Sequence, residues 1–259
     1  MMEMKNLRIC NLQLVESGKL YGNMNDDKRY FPSWLTEEQI KKGLMNSKIK
    51  FGKSYGFDGH KMFSSIGKDR RGTWFLIDND YVNEHQFGSS DIQEDILIVD
   101  KKTPGVVIGH PVNDFPVVVA YDFKDDVAAV AYCDMENIDK KMPMMVVDAL
   151  YNYNRTSEEN VVAYISACAG SSLAYDEYPN EAKYSDVWKD YIEENDGEYH
   201  VNLKGAIYKQ LQNRKVAKIF FSSVDTIKDD YFYSLYATKK LEKTECGTNY
   251  SGAFIKVKK

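Results

Sequence analysis

The sequence predicts an α+β domain in which mixed β-sheets pack together and helices cover the outside. From about residue 73 onward, short β-branched runs mix with helix-like stretches without a strict strand–helix–strand rhythm. Several of these runs are continuously apolar, which is typical of strands covered on both faces. The runs are TWFLI, DILIV, GVVIG, PVVVAY, VAAVAY, VVAYIS and KIFFSSV.

Helix signals stand between and before these runs. Thr36 and Gln39 have the spacing of a capping box, so a helix is predicted to open at Thr36. Pro143 is placed for the first turn of a second helix. Apolar residues recur at helical spacing over residues 187–192 and 206–211, which predicts two more helices.

The length of 259 residues allows one large domain or two small ones. We assign residues 71–259 to an α+β core. Residues 1–70 form a divergent N-terminal segment that we expect to belong to the same domain.

Charge and composition exclude several classes of partner. The chain carries 34 basic and 39 acidic residues, a net charge of -5, which argues against nucleic-acid binding. No apolar window is long enough to span a membrane, and the N-terminus lacks the apolar region of a signal peptide. The 4 cysteines are scattered and form no CxxC pair, so we expect a reducing, cytoplasmic location.

The stretch FGKSYG at residues 51–56 lacks the first glycine of a phosphate-binding loop, because Ser47 stands at that position. We therefore predict a turn beside a strand. The four histidines, at positions 60, 85, 110 and 200, form no pair at helical spacing. His110 is the strongest candidate among them, because it is predicted to end the GVVIG strand and lies close in sequence to Asp114.

Cys133 follows the VAAVAY run and is a candidate nucleophile. No histidine lies beside it in the sequence. Nearby Asp134 and Glu136 would raise the pKa of its thiol. We therefore favour a buried, structural role for Cys133.

A defined order of segments follows Asp95. The strand DILIV precedes the strand at residues 105–109, and Pro116 opens the next strand. The VAAVA strand then ends in residues 132–137, and later segments include residues 165–170, 232–237 and 246–248. This order resembles the laccase-domain family, also described as multicopper polyphenol oxidase-like or purine nucleoside phosphorylase-like.

The resemblance implies a zinc ion held by two histidines and a cysteine, with an open position for water. It also implies action on purine nucleosides or phenols. Asp114 stands where the family has its cysteine ligand, and Tyr132 stands where it has one histidine. By spacing, the other histidine matches Arg71, whereas a match to His60 would need an insertion. Glu136 stands where the family has an arginine after the strand that corresponds to VAAVA.

These replacements remove the expected metal chemistry. Tyrosine is a poor zinc ligand at neutral pH, because the pKa of its phenol is near 10. An arginine side chain has no lone pair to offer a cation. We therefore expect no metal cofactor. Zinc or copper would return only in a site rebuilt from His110, Asp114 and Cys133, with His60 as a further ligand.

The function that we favour is a laccase-domain-like protein without the zinc centre, acting as a non-catalytic binding or regulatory protein. Its expected partners are a small molecule such as a nucleoside or, through residues 1–70, another protein. The alternative is an active enzyme of the family with a remodelled metal or cysteine site, in which Asp114, Cys133 or His110 is catalytic. The residues predicted to wall the pocket are Arg71, Asp114, Tyr132, Cys133 and Ser234.

Overall fold

The computed structural model describes residues 8–25, 28–67, 69–240 and 247–257. The predictions that concern Cys246 lie outside these residues. The helices are α1 Glu37–Tyr55, α2 Asn79–Glu84, α3 Met135–Asp139, α4 Met142–Asn154, α5 Leu203–Asn213 and α6 Leu235–Lys240. The strands are β1 Arg8–Ile9, β2 Leu12–Glu16, β3 Met62–Ser65, β4 Trp74–Leu76, β5 Ser89–Ile92, β6 Ile96–Asp100, β7 Val107–Val112, β8 Val117–Asp122, β9 Val127–Tyr132, β10 Val161–Ile165, β11 Ala174–Tyr175, β12 Ile192–Asn195, β13 Glu198–Val201, β14 Lys218–Phe221 and β15 Asn249–Ile255.

The strands form two large mixed sheets and one small one. The first sheet has the order β1-β2-β15-β7-β3-β5, and the second has the order β14-β10-β8-β9-β6-β4. Both combine parallel and antiparallel neighbours: β3 is parallel to β7, while β15 is antiparallel to it. The third sheet has the order β11-β13-β12.

Three apolar clusters show that the domain has four layers. One cluster lies between the two large sheets and joins Leu14 of the first sheet to Val119 and Val130 of the second. A second cluster packs the other face of the second sheet against α3, α4 and α5. A third packs the outer face of the first sheet against Phe51 of α1. The predicted fold class, mixed sheets with helices outside, is confirmed.

The VAAVAY run shows why its apolar pattern is continuous. Ala129 and Ala131 face the helices, whereas Ala128, Val130 and Tyr132 face the first sheet. Since successive side chains of a strand point to opposite faces, a strand between two layers needs apolar residues at every position.

The N-terminal segment is part of the first sheet. Strand β2 pairs with β15, and β3 pairs with β7. Helix α1 opens with the predicted capping box between Thr36 and Gln39. Within the described residues, no helix is both long enough and apolar enough to cross a membrane.

Two local predictions are wrong. Residues 187–192 form turns that lead into β12, and the apolar spacing arises because Trp188 is fully buried there. FGKSYG does not form a turn beside a strand. Its first five residues are the last turns of α1, and Gly56 ends that helix in the left-handed conformation with φ of 80°.

Glu16 joins the N-terminal segment to the second sheet. Its carboxylate Oε1 accepts a hydrogen bond of 2.9 Å from the Tyr164 hydroxyl and one of 2.7 Å from the Ala167 amide. Burial raises the pKa of Glu16, although these hydrogen bonds and nearby Lys204 act in the opposite direction. The folded chain therefore favours the protonated carboxyl more than the unfolded chain does.

This shift predicts a pH-dependent effect of Glu16→Gln. A raised pKa gives stability that is complete below the unfolded pKa and is lost as pH rises through the folded pKa. The neutral amide escapes that loss. We expect Glu16→Gln to be more stable than the unchanged chain at pH 8, with the gain shrinking towards pH 4.

Urea unfolding across this pH range measures the effect. Glu177→Gln, at an exposed position, is the control and should show no such trend. A Glu16→Gln variant that is equally destabilised at every pH would contradict the assignment.

Candidate functional site

One edge of the second sheet gathers the ends of several strands. Tyr132 pairs with Val117, so β9 ends where β8 begins. Val118 pairs with Ile165, and Ile165 pairs with Phe221, so β10 and β14 end at the same edge. The loops that follow these strands therefore lie next to one another.

The starts of two further strands complete this edge. Ala131 pairs with Ile96, and Ile96 pairs with Trp74. Asp95 and the loop at residues 70–73 precede these strands and therefore lie at the same edge. The segments matched to the family's three ligands are thus brought to one edge of the sheet.

Asp114 is held by hydrogen bonds from distant parts of the chain. Its Oδ1 accepts from the Thr226 hydroxyl at 3.1 Å, and its Oδ2 accepts from the Tyr236 amide at 2.8 Å. The Ser234 hydroxyl also bonds the carboxyl. Tyr236 lies in the first turn of α6, so Asp114 caps this helix from across the fold.

The burial of Asp114 shifts the pKa of its carboxyl. The residue is 5% exposed. Burial raises the pKa of its carboxyl, while the bonds from Ser234, Tyr236 and Thr226 oppose the rise. The carboxyl is thus a desolvated group whose acceptor positions are filled by the protein.

Tyr132 and His110 form an aromatic stack between the two large sheets. Their ring centroids are 4.8 Å apart and their planes differ by 21°. The Phe115 ring meets Tyr132 edge-on at 6.5 Å. Burial, followed by the charges of Asp134 and Asp114, raises the pKa of the Tyr132 phenol, which therefore stays protonated.

His110 lies inside β7, two residues before the strand ends, and not at its end as predicted. Its Nδ1 is 3.1 Å from the carbonyl oxygen of Pro111. Because a carbonyl oxygen only accepts, this contact favours the tautomer with the proton on Nδ1. Burial lowers the pKa of His110, so its imidazole is neutral.

Cys133 faces away from this stack. It is fully buried in the cluster between the second sheet and the helices. Burial, and then the charge of Asp134, raises the pKa of its thiol well above the usual value. A neutral thiol in an apolar core is a poor nucleophile.

The side chains of the neighbouring residues Arg70 and Arg71 differ in their exposure. The Arg71 side chain is exposed, whereas the Arg70 side chain is 28% exposed. Arg70 has a left-handed φ of 52°. The Asp95 carboxylate accepts hydrogen bonds of 2.9 Å from the amides of Arg70, Arg71 and Gly72, which fixes this loop.

The fixed loop places the Arg70 guanidinium against two acidic residues. Arg70 forms an ion pair with Glu136 and a second one with Asp134 at 3.5 Å. Asp134 also caps α3 through the Asn137 amide at 2.8 Å. Arg70 therefore supplies the positive charge that these carboxylates need.

Sequence reasoning did not single out Arg70, although it lies next to Arg71. Nor did it assign a role to Asp95, whose available signal was an acidic residue immediately before a fully apolar strand. Ser234 lies at this edge as a hydrogen-bond partner of Asp114.

The residues at this edge do not fit a zinc ion. Within the described ranges, no three His, Cys, Asp or Glu side chains are grouped so that they could hold a metal. The second sheet separates His110, which projects from β7 towards Tyr132, from Cys133 on the helix side, and His60 contacts Asp58 at 2.9 Å. Asp114 already accepts bonds from protein donors, and a protonated phenol stands at Tyr132.

The fold and this edge define a laccase-type domain. The chain belongs to the multi-copper polyphenol oxidoreductase laccase family, whose model matches residues 80–256. The predicted resemblance is confirmed. No curated protein was found to match the chain.

Solved structures share this fold at low sequence identity. YlmD from Geobacillus stearothermophilus aligns with a TM-score of 0.69 and 13% identity, covering 95% of this chain and 91% of that chain. The hypothetical protein YfiH of Bacillus licheniformis aligns with a TM-score of 0.67 and 16% identity, covering 83% and 82%. The Neisseria meningitidis protein NMB0706 aligns with a TM-score of 0.64 and 12% identity, covering 96% of both chains.

Asp114→Ala should destabilise the domain. It leaves buried donors on Thr226 and Tyr236 without an acceptor, a loss of about 3 kcal/mol in the free energy of unfolding. Urea unfolding measures this change, with the exposed Asp190→Ala as control. A loss no larger than that of the control would contradict a structural role for Asp114.

Arg70→Gln and Arg71→Gln form a matched pair. The first removes two ion pairs at a half-buried position, so we expect a loss of about 1 kcal/mol that shrinks at high salt. The second should have almost no effect, because the Arg71 side chain is exposed. Equal losses in the two variants would show that the ion pairs of Arg70 with Asp134 and Glu136 do not stabilise the domain.

Proposed function

We propose that this chain is a laccase-domain protein without the family's zinc centre, acting as a non-catalytic binding or regulatory protein. The observation that carries the proposal is the set of hydrogen bonds to Asp114. At the position matched to the cysteine ligand, the side chain caps α6 and binds Thr226 and Ser234. The oxygen lone pairs of Asp114 accept hydrogen bonds that stabilise the fold.

The other matched positions support the same conclusion. Tyr132 is protonated and packed against His110. Arg71 points to solvent, and its neighbour Arg70 pairs with Asp134 and Glu136. A guanidinium beside the matched histidine position would repel a metal ion.

The aromatic stack suggests the kind of ligand that this edge accepts. Tyr132 and His110 present stacked aromatic rings between the two large sheets, and Phe115, which packs against the sheet–helix cluster, meets Tyr132 edge-on. The guanidinium of Arg70 is already paired with two carboxylates, so it offers little to an anion. We propose that the ligand is a neutral aromatic molecule such as a nucleoside, not a phosphorylated one.

Metal content and turnover test the loss of catalysis together. Protein purified without chelator should contain zinc and copper far below one ion per chain, because the donor set does not fit either ion. Adenosine and inosine should not be converted, with or without phosphate. Elemental analysis and product detection measure the two outcomes.

Near-stoichiometric zinc or copper would contradict the proposal. So would turnover that disappears in both Asp114→Ala and Cys133→Ala, which would support the alternative of an enzyme with a remodelled site. Circular dichroism of each variant controls for unfolding.

Adenosine binding tests the aromatic ligand. Stacking of a base on an aromatic ring contributes about 1–3 kcal/mol, so Tyr132→Ala should weaken binding by about tenfold or more. Titration calorimetry measures this change. Tyr184→Ala, where the ring is 99% exposed, is the control. Equal affinity in the two variants, or no binding to the unchanged chain, would contradict the assignment.

A further inference from the structure

A cavity lies at the edge of the second sheet opposite to the one that carries Asp114. Strand β10 begins there at Val161, which pairs with Asp122 at the end of β8. The cavity has a volume of about 240 Å³. Its wall consists of Val147, Asp148, Tyr151, Thr156, Glu158, Val161 and Arg214.

The floor of the cavity is apolar. Val147 of α4 and Val161 of β10 are buried in the core between sheet and helices. The Tyr151 side chain forms the outer wall and is 53% exposed. A small aliphatic group would therefore find contact on both sides.

The charged part of the wall contains an incompletely bonded guanidinium. Arg214 forms an ion pair with Asp148 through one terminal nitrogen, at side-chain exposures of 33% and 37%. The Arg214 Nε is buried and has no hydrogen-bond partner among the residues that the structure describes. Because the Arg214 side chain is 33% exposed, its other terminal nitrogen can donate to a ligand that supplies an oxygen, whereas the buried Nε is out of reach.

Charges of both signs surround the apolar floor. Glu158 lines the cavity beside the Asp148–Arg214 pair. The Arg155 guanidinium lies 5.7 Å from the centre of the Tyr151 ring, which brings a second cation to the rim. Two carboxylates and two guanidinium groups balance, so neither a pure anion nor a pure cation is favoured.

We propose that this cavity binds a small zwitterion with an apolar body, of the size and chemistry of a free aliphatic amino acid. Its carboxylate would accept from Arg214, its ammonium would face Glu158, and its side chain would pack on Val147 and Val161. The cavity is smaller than the roughly 300–1,000 Å³ of pockets for drug-sized ligands, which fits a ligand of this size. The site is separate from the edge that carries Asp114.

Titration of the full-length chain with L-leucine, followed by protein NMR, tests the proposal. We expect saturable shifts of the lining residues with a Kd of about 1 mM or tighter. Two probes each carry half of the zwitterion: 4-methylpentanoate lacks the ammonium, and 3-methylbutylamine lacks the carboxylate. Each should bind about tenfold more weakly than L-leucine.

Arg214→Gln and Tyr151→Ala should each weaken L-leucine binding by about tenfold, the first through the lost donor and the second through the lost apolar wall. Tyr151→Ala leaves the Asp148–Arg214 pair intact and guards against misfolding of the other variant. Lys209→Gln, an equal charge change at an exposed position on α5, should bind like the unchanged chain. No saturable shifts at the lining residues, equal binding of either half-probe, or full affinity in Tyr151→Ala would overturn the proposal.

Discussion

The hydrogen bonds to the Asp114 carboxyl determine the chemistry of the sheet edge that carries the positions matched to the family's metal ligands. A buried carboxyl must be neutralised by a proton or a cation, or accept hydrogen bonds from the protein. Here Thr226, Ser234 and the first turn of α6 supply those bonds. The segment that follows β7 is thereby tied to the C-terminal helix. A group matched to a metal ligand instead stabilises the fold at this edge.

Electrostatic balance at the same edge follows from a second buried carboxylate. Asp95 fixes the loop at residues 70–73 by accepting hydrogen bonds from three backbone amides. The loop then directs Arg70 towards Asp134 and Glu136. Two side-chain cations, Arg70 and Lys140, thus offset the charge of the acidic residues that follow β9. This arrangement needs no bound ion to offset their charge.

The sequence predicted the structure best where buried apolar residues follow a regular pattern along the chain. Continuous apolar runs such as VAAVAY predicted strands between two layers, and the fold class followed from them. The partners of Asp114 were not predictable, because they lie 112 and 122 residues further along the chain. Spacing also could not distinguish Arg70 from Arg71, since a left-handed backbone angle at Arg70 and the Asp95 contacts decide which side chain turns inward.

The unfolding midpoint of the full chain in the presence of Zn²⁺, compared with its midpoint in chelator, tests the central claim most directly. A ligand that binds only the folded chain raises its stability. If Asp114 serves the fold, the two midpoints should coincide. A higher midpoint with Zn²⁺ that disappears in Asp114→Asn would show that this edge still holds a metal and would contradict the account.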